Sequence, residues 1–265
     1  MNKIPFRGVL WIASDIHLGP DVPKTAQAFY GFLAQASQNA DALILCGDIF
    51  DTWIGDDHAL RTPPPWLDHA LQELSAVARA IPLWLVRGNR DFLMGNALAQ
   101  RLGARFLESP TLVQTDAGDI LLAHGDEYCT QDLAYQRFRR LVHTPWVQQV
   151  FLSLPLAWRR AVARWARARS KQSHRGKPLY VMDVTPSAVS DALRRARCKL
   201  MIHGHTHQPA VHEQTVGAEM TWRYVLPDWE YDHAAPVRGG WISVEEGRVL
   251  MHAWVPAYGS TSASS

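Results

Sequence analysis

The chain has 265 residues, of which 47% are hydrophobic and 20% charged, the balance of an ordinary soluble protein with one sizeable core. Its formal net charge is only +2, so partners must be read from where the charge lies rather than from its sum. Cys46, Cys129 and Cys198 are odd in number, far apart and in no CxxC pair, which argues against a disulfide framework or zinc ribbon and for a reducing compartment.

The N-terminal apolar run, residues 9–13, ends at Asp15 and His17 instead of a small-residue cleavage site, so no signal peptide is expected. With residues 43–46 and 83–86 it forms a series of brief apolar runs flanked by turn residues, each read as a buried strand. Residues 24–38 and 66–79 between them have helical length and composition. Such alternation implies a parallel sheet with helices on its faces. Further strands are predicted at 119–123 and 199–202, then at 220–225, 240–244 and 248–255. The β-rich end suggests a second sheet packed on the first, giving an α/β sandwich. No run of about 18 apolar residues occurs, so any membrane contact is expected to be peripheral. Residues 257–265 read as a disordered tail.

One window differs in composition. Residues 131–180 hold eleven basic side chains and one acid, Asp132, a formal +10 that leaves −8 for the remainder. Trp158, Ala161, Val162 and Trp165 recur at the spacing of one helical face, with Arg160, Arg164 and Arg167 beside them. The window is read as a basic, amphipathic helical insertion between core segments 1–130 and 181–256.

Five short segments carry the chemistry: Asp15-Ile16-His17, Gly47-Asp48, Gly88-Asn89-Arg90-Asp91, His124-Gly125-Asp126 and Gly204-His205-Thr206-His207. In open α/β sheets, loops at the carboxyl ends of strands gather such side chains at one place. Carboxylate, imidazole and amide oxygen suit manganese, iron or zinc, and no thiolate accompanies them. Two such ions close together bind a phosphate, acidify a water and stabilise charge during in-line attack. Asp48, central in the order and with two oxygens, is the expected bridge. The glycines permit tight turns beside the ions.

In this order the segments resemble the calcineurin-like metallophosphoesterase superfamily. The resemblance implies a four-layer αββα fold and a dinuclear site: Asp15, His17, Asp48 and His207 on one metal, and Asp48, Asn89, His124 and His205 on the other. Asp48, Asn89, Arg90 and His124 form the expected catalytic set. Many members carry His where this chain has Arg90. An always-charged guanidinium cannot serve as a general acid near neutral pH, but it stabilises phosphate charge. That favours a leaving group needing little protonation, as in cleavage of a phosphoanhydride.

The longer strings GDIFDTWIGDD, GNRDFL, HGDEYCTQDLAYQRFR, MDV and HGHTHQPAVH resemble the UDP-2,3-diacylglucosamine hydrolases of lipid A biosynthesis. This resemblance implies water attack on the α-phosphorus, release of UMP and 2,3-diacylglucosamine 1-phosphate, two Mn²⁺ ions, and association with the cytoplasmic face of the inner membrane. It implies substrate contacts at Asn89, Arg90, Asp132, Ser170, His174, Lys177 and His205, with His174 standing where the family has Asn. Arg167 is added as a phosphate partner on its closeness to Ser170. The insertion would offer an apolar slot for acyl chains and basic groups for phosphates or anionic headgroups. No nucleic-acid or protein partner is expected. Another dinuclear phosphoesterase, such as a nucleotide pyrophosphatase or nuclease, and a non-catalytic lipid-binding module remain open readings.

Overall fold

The computed structural model describes residues 3–174 and 179–255, with backbone alone for 171–174 and 179–180. The strands are β1 (Lys3–Pro5), β2 (Leu10–Ala13), β3 (Ala42–Cys46), β4 (Leu83–Val86), β5 (Arg105–Leu107), β6 (Thr111–Thr115), β7 (Gly118–Ala123), β8 (Leu200–His203), β9 (Val211–Val216), β10 (Glu219–Val225), β11 (Gly240–Glu245) and β12 (Arg248–Ala253). The helices are α1 (Pro23–Asn39), α2 (Asp56–Arg61), α3 (Pro65–Ala80), α4 (Asn96–Leu102), α5 (Leu133–Val142), α6 (Pro145–Ser153), α7 (Leu156–His174), α8 (Leu179–Met182) and α9 (Pro186–Ala196).

The two-residue period of a strand sends alternate side chains to opposite faces, and this sorts the layers. Leu10 and Ile12 of β2 and Ile44 of β3 face Ile120 and Leu122 of β7 and Ile202 of β8. Trp11, Leu43 and Leu45 point the other way, onto Phe29, Phe32 and Leu33 of α1 and Leu71 and Leu74 of α3. On the far side Leu121, Ala123 and Met201 pack on Val189, Ala192 and Leu193 of α9. The order is helix, sheet, sheet, helix, the expected αββα sandwich. Burial of both faces is why the central strands read as unbroken apolar runs.

Both sheets have six strands, in the orders β12-β11-β2-β3-β4-β5 and β1-β6-β7-β8-β10-β9. One expectation needs correction. The C-terminal strands do not build a second sheet of their own. β11 and β12 extend the first sheet, with β11 antiparallel to β2 and Ile242 opposite Ile12, while β8, β9 and β10 complete the second. The reason is the free edge of β2, which accepts β11 because Ile242 and Val244 continue its inward-facing row.

α7 has a buried contact that its apolar spacing does not reveal. Trp158 is 67% and Trp165 63% exposed, whereas Arg159 is buried at 3%, and Val162 and Trp165 of the apolar stripe line a cavity between this segment and the core loops. The Arg159 guanidinium donates to Ile54 O (2.7 Å), Leu154 O (3.0 Å) and the Asp57 carboxylate. A buried guanidinium needs acceptors for its fixed fork of donors, and Ile54 before α2, Asp57 within it and Leu154 between α6 and α7 supply them. No helix among the described residues is long and apolar enough to cross a membrane.

Candidate active site

Each of the five segments lies directly beyond a strand. Asp15 follows β2, Asp48 follows β3 and Asn89 follows β4 in one sheet, while His124 follows β7 and His205 follows β8 in the other. The site therefore spans the carboxyl ends of both sheets. Its loops are stitched together by Asp15 N to Gly47 O (3.1 Å), His17 N to Asp48 O (2.9 Å) and Leu18 N to Ile49 O (2.8 Å).

Asp15, His17, Asp48, His205 and His207 all have positive φ, between 52° and 69°. An L-residue in that region costs about 1–2 kcal/mol, a strain that persists only where surrounding structure enforces it and that clusters at functional sites. Part of the enforcement comes from Asp91, fully buried. Its carboxylate accepts from Gly88 N (2.8 Å), Ile49 N (2.7 Å), Asp48 N (3.3 Å) and Phe50 N (3.3 Å), locking the Asp48 and Asn89 loops to each other. Asp91 has no expected role from sequence; its only signal there is its place in the Gly-Asn-Arg-Asp string.

The seven expected ligands come together in two overlapping groups. In the first, His207 Nε2 lies 3.3 Å from His17 Nε2 and 3.4 Å from Asp15 Oδ1. In the second, Asn89 Oδ1 is 3.0 Å from His124 Nε2 and 2.8 Å from His205 Nδ1. Asp48 stands between them, Oδ2 3.9 Å from His17 Nε2 and Oδ1 3.6 Å from His124 Nε2. Asp15 is shared as well, within ligand reach of both His17–His207 and Asp48–His124. His124 Nδ1 faces Cys46 O at 3.1 Å, so that nitrogen is the donor and Nε2 is turned into the site.

Concentrated charge shifts the titration of these groups. Burial, with Asp91 and Asp15 nearby, pushes the Asp48 carboxyl up to about 7 against the pull of His124. Burial opposes charge on His124 and His207, yet their carboxylate neighbours outweigh it and raise them to about 9 and about 10. Burial and then His124 hold His205 down to about 3. Positive charge is thus drawn to the middle of the carboxylates. Glycine makes room for them: a Cβ on Gly88 would lie 2.2 Å from Asp48 Oδ1, and one on Gly204 2.2 Å from Asp15 Oδ2.

Beside Asn89, one of the expected ligands, lies a cavity of about 440 Å³ whose walls include Asn89 and Arg90, apolar Trp53, Phe92, Phe138 and Phe151, and Asp132, Arg167 and Ser170 from the 131–180 segment. Arg90 N donates to Asp48 Oδ1 (2.7 Å). Arg167 is paired with Asp51, by the carboxylate and by O at 3.3 Å. Asp132 caps α5, accepting from Tyr135 N (3.1 Å). The helical segment is tied to the site by Asp126, whose Oδ2 accepts from Tyr135 Oη (2.6 Å) and Arg139 Nε (2.7 Å). Lys177, the side chain of His174 and residues 257–265 lie outside the described residues.

A sequence profile described as calcineurin-like phosphoesterase matches residues 8–209. The chain belongs to the calcineurin-like phosphoesterase family. A UDP-2,3-diacylglucosamine hydrolase of Bordetella parapertussis is 51% identical over 245 residues, 92% of this chain and 95% of that one. Proteins of the same name from Aeromonas hydrophila and Coxiella burnetii are 42% and 39% identical, each over 82% of this chain and 88% of the relative.

A calcineurin-like phosphoesterase is a metal-dependent hydrolase, and the residues present fit divalent cations. Asp15 Oδ1, an atom of the cluster, is buried without a hydrogen-bond partner, a costly arrangement unless something else satisfies it. The inward atoms are carboxylate, imidazole and amide donors. The nearby Cys46 thiol is held well above its usual range by burial and donates to Ala123 O (3.2 Å), so it is no ligand.

Proposed function

We propose that the chain hydrolyses the diphosphate of UDP-2,3-diacylglucosamine by water attack on the α-phosphorus, giving UMP and 2,3-diacylglucosamine 1-phosphate in lipid A biosynthesis. One observation carries the choice: Asn89 and Arg90 belong both to the ligand loops and to the wall of the apolar cavity. A single molecule with a diphosphate at one end and acyl chains at the other reaches both. The names of the relatives, at 51% identity over nearly the whole chain, support the same substrate.

In this reading Asp15, His17, Asp48 and His207 hold one divalent cation, and Asp48, Asn89, His124 and His205 the other, with manganese the expected metal. Bound there, the cations would supply Lewis-acid charge and a more acidic water near neutral pH. Asp48 keeps the two halves in register through its two oxygens. Arg90 faces the transferred phosphoryl group and balances its charge, and its guanidinium cannot lose a proton, so the leaving 1-phosphate departs without a proton from this residue. Arg167, Ser170 and Asp132 line the same cavity as Asn89 and Arg90, and His174 and Lys177 join them by resemblance.

The 131–180 segment is then a lipid-binding insertion on a core of 1–130 and 181–256. Its formal +10, together with exposed Trp146, Trp158 and Trp165, suits the anionic cytoplasmic face of an inner membrane. No nucleic-acid or protein partner enters this reading. The deciding assay compares UMP release from UDP-2,3-diacylglucosamine in detergent and Mn²⁺ with cleavage of single-stranded DNA. Expected is UMP release that disappears on chelation and in Asp48→Ala. DNA cleavage without UMP release would sink the reading in favour of a nuclease.

A further inference from the structure

We infer that Asp228, on the connection between β10 and β11, is a positioning residue that fixes the ring of His207 and so sets the affinity of one of the two cation sites. This rests on the assignment of His207 as a ligand.

The two nitrogens of His207 face opposite ways. Nε2 points to Asp15 Oδ1 and His17 Nε2, while Nδ1 lies 3.3 Å from Asp228 Oδ2. The contact matters because His207 is the most exposed of the four expected histidine ligands. Its side chain is 38% exposed, against 20% for His17 and 1% for His124. His124 has the Cys46 carbonyl behind it; His207 has Asp228. Without that carboxylate, a half-exposed imidazole on a left-handed backbone (φ 53°) is free to turn towards water.

Asp228 is built to hold still. It is 2% exposed. Arg238 Nε donates to both of its oxygens at 2.9 Å and Nη2 lies 2.7 Å from Oδ2. Arg238 is fixed in turn by a backbone bridge to Glu230 (2.8 and 3.1 Å). Beside the carboxylate, Trp229 N donates to Asp15 O (3.0 Å) and Leu226 N to His203 O (2.7 Å). The segment carrying Asp228 is thereby attached to two of the loops it serves. A carboxylate behind a ligating imidazole selects the tautomer, orients the ring and raises its basicity; losing such a group costs about 10–100-fold in metal affinity.

The test is Mn²⁺ titration of the full chain stripped of metal, followed by electron paramagnetic resonance and calorimetry at one pH, with thermal melting of the metal-free protein alongside. Asp228→Ala should weaken one class of site by about 10–100-fold and leave the other unchanged. That class should be the one His207→Ala abolishes, and the double variant should bind no worse than His207→Ala alone. Asp228→Asn, which keeps shape but not charge, should show the same selective loss, with a melting temperature lowered by the weakened Arg238 pair, and it serves if Asp228→Ala fails to fold. Wild-type affinity at both sites in Asp228→Asn beside a defective His207→Ala overturns this inference alone. Equal weakening of both sites together with a lowered melting temperature also overturns it, as a general structural role. Full binding at both sites in His207→Ala overturns the ligand assignment, and this inference with it.

Discussion

At the scale of single residues, the site is an exercise in keeping unfavourable things in place. Five expected ligands occupy left-handed backbone, and the carboxylates of Asp15 and Asp48 are buried beside each other. Asp and His tolerate that backbone better than most residues, and Asp91 supplies acceptors for four loop amides. Arg167 shows how a magnitude decides between readings. A hydrogen bond to a charged group is worth about 1.5–3 kcal/mol, which is about 10–100-fold in affinity. In the free chain Arg167 is already paired with Asp51, so binding phosphate exchanges one partner for another. The net effect belongs at the low end. Arg167→Ala should raise KM for the acylated substrate about tenfold, with kcat nearly unchanged. Steady-state kinetics giving wild-type KM would return Arg167 to a purely structural pairing with Asp51.

At the scale of elements, two helices are held by residues remote in sequence. α1 begins with Pro23, suited to the first helical turn, but Val22 before it offers no capping side chain. Asp232 does so instead, accepting from Lys24 N (3.1 Å), Thr25 N (2.9 Å) and Thr25 Oγ1 (2.8 Å). Burial opposes its charge, but the Thr25 and Lys24 amides outweigh this and hold the carboxyl below its usual range. A depressed folded-state pKa contributes stability that is present above the unfolded value, about 3.9, and is lost as pH falls through the folded value. Asp232→Ala should therefore cost about 1 kcal/mol in urea unfolding at pH 7. The difference from wild type should shrink below about pH 4. A gap that is the same at pH 7 and pH 3 would mean that the charge of Asp232 contributes nothing. α7 is held in the same remote fashion, by Arg159 on Asp57 and Ile54.

At the scale of the whole molecule, the charge is split. Residues 131–180 carry a formal +10 and the rest −8. Side chains on the positive part include exposed Trp146, Trp158 and Trp165 with Leu133, Phe138 and Leu141. Tryptophan at an interface combined with basic residues gives binding to anionic bilayers that salt weakens. In flotation assays the chain should associate with vesicles containing phosphatidylglycerol, less with neutral ones, and less again in about 0.5 M salt, where screening is short-ranged. Replacing Trp158 and Trp165 by Ser together should reduce the bound fraction without altering Mn²⁺ affinity. Equal association of the double variant would show that these tryptophans do not make the contact.

Much of the site was legible because its signals are local. Each ligand sits within a few residues of a strand end, in strings such as Asp15-Ile16-His17 and Gly204-His205-Thr206-His207, and side-chain chemistry does not depend on knowing the fold. The layers were legible too, since the alternation of Leu10, Trp11 and Ile12 reports which faces are buried. Asp91 stood in view, but its role could not be read, because a carboxylate that organises amides looks like any other until the amides surround it. By itself, then, the sequence determined the αββα core and named the side chains that the fold brings together beyond the strand ends. Only the tertiary structure decided that β11 and β12 join the first sheet, that α7 turns Arg159 inward, and that Asp228 stands behind His207. Each of these rests on a partner distant along the chain. Periodicity describes what one segment would bury, whereas a paired charge or an occupied sheet edge depends on which remote segment arrives there.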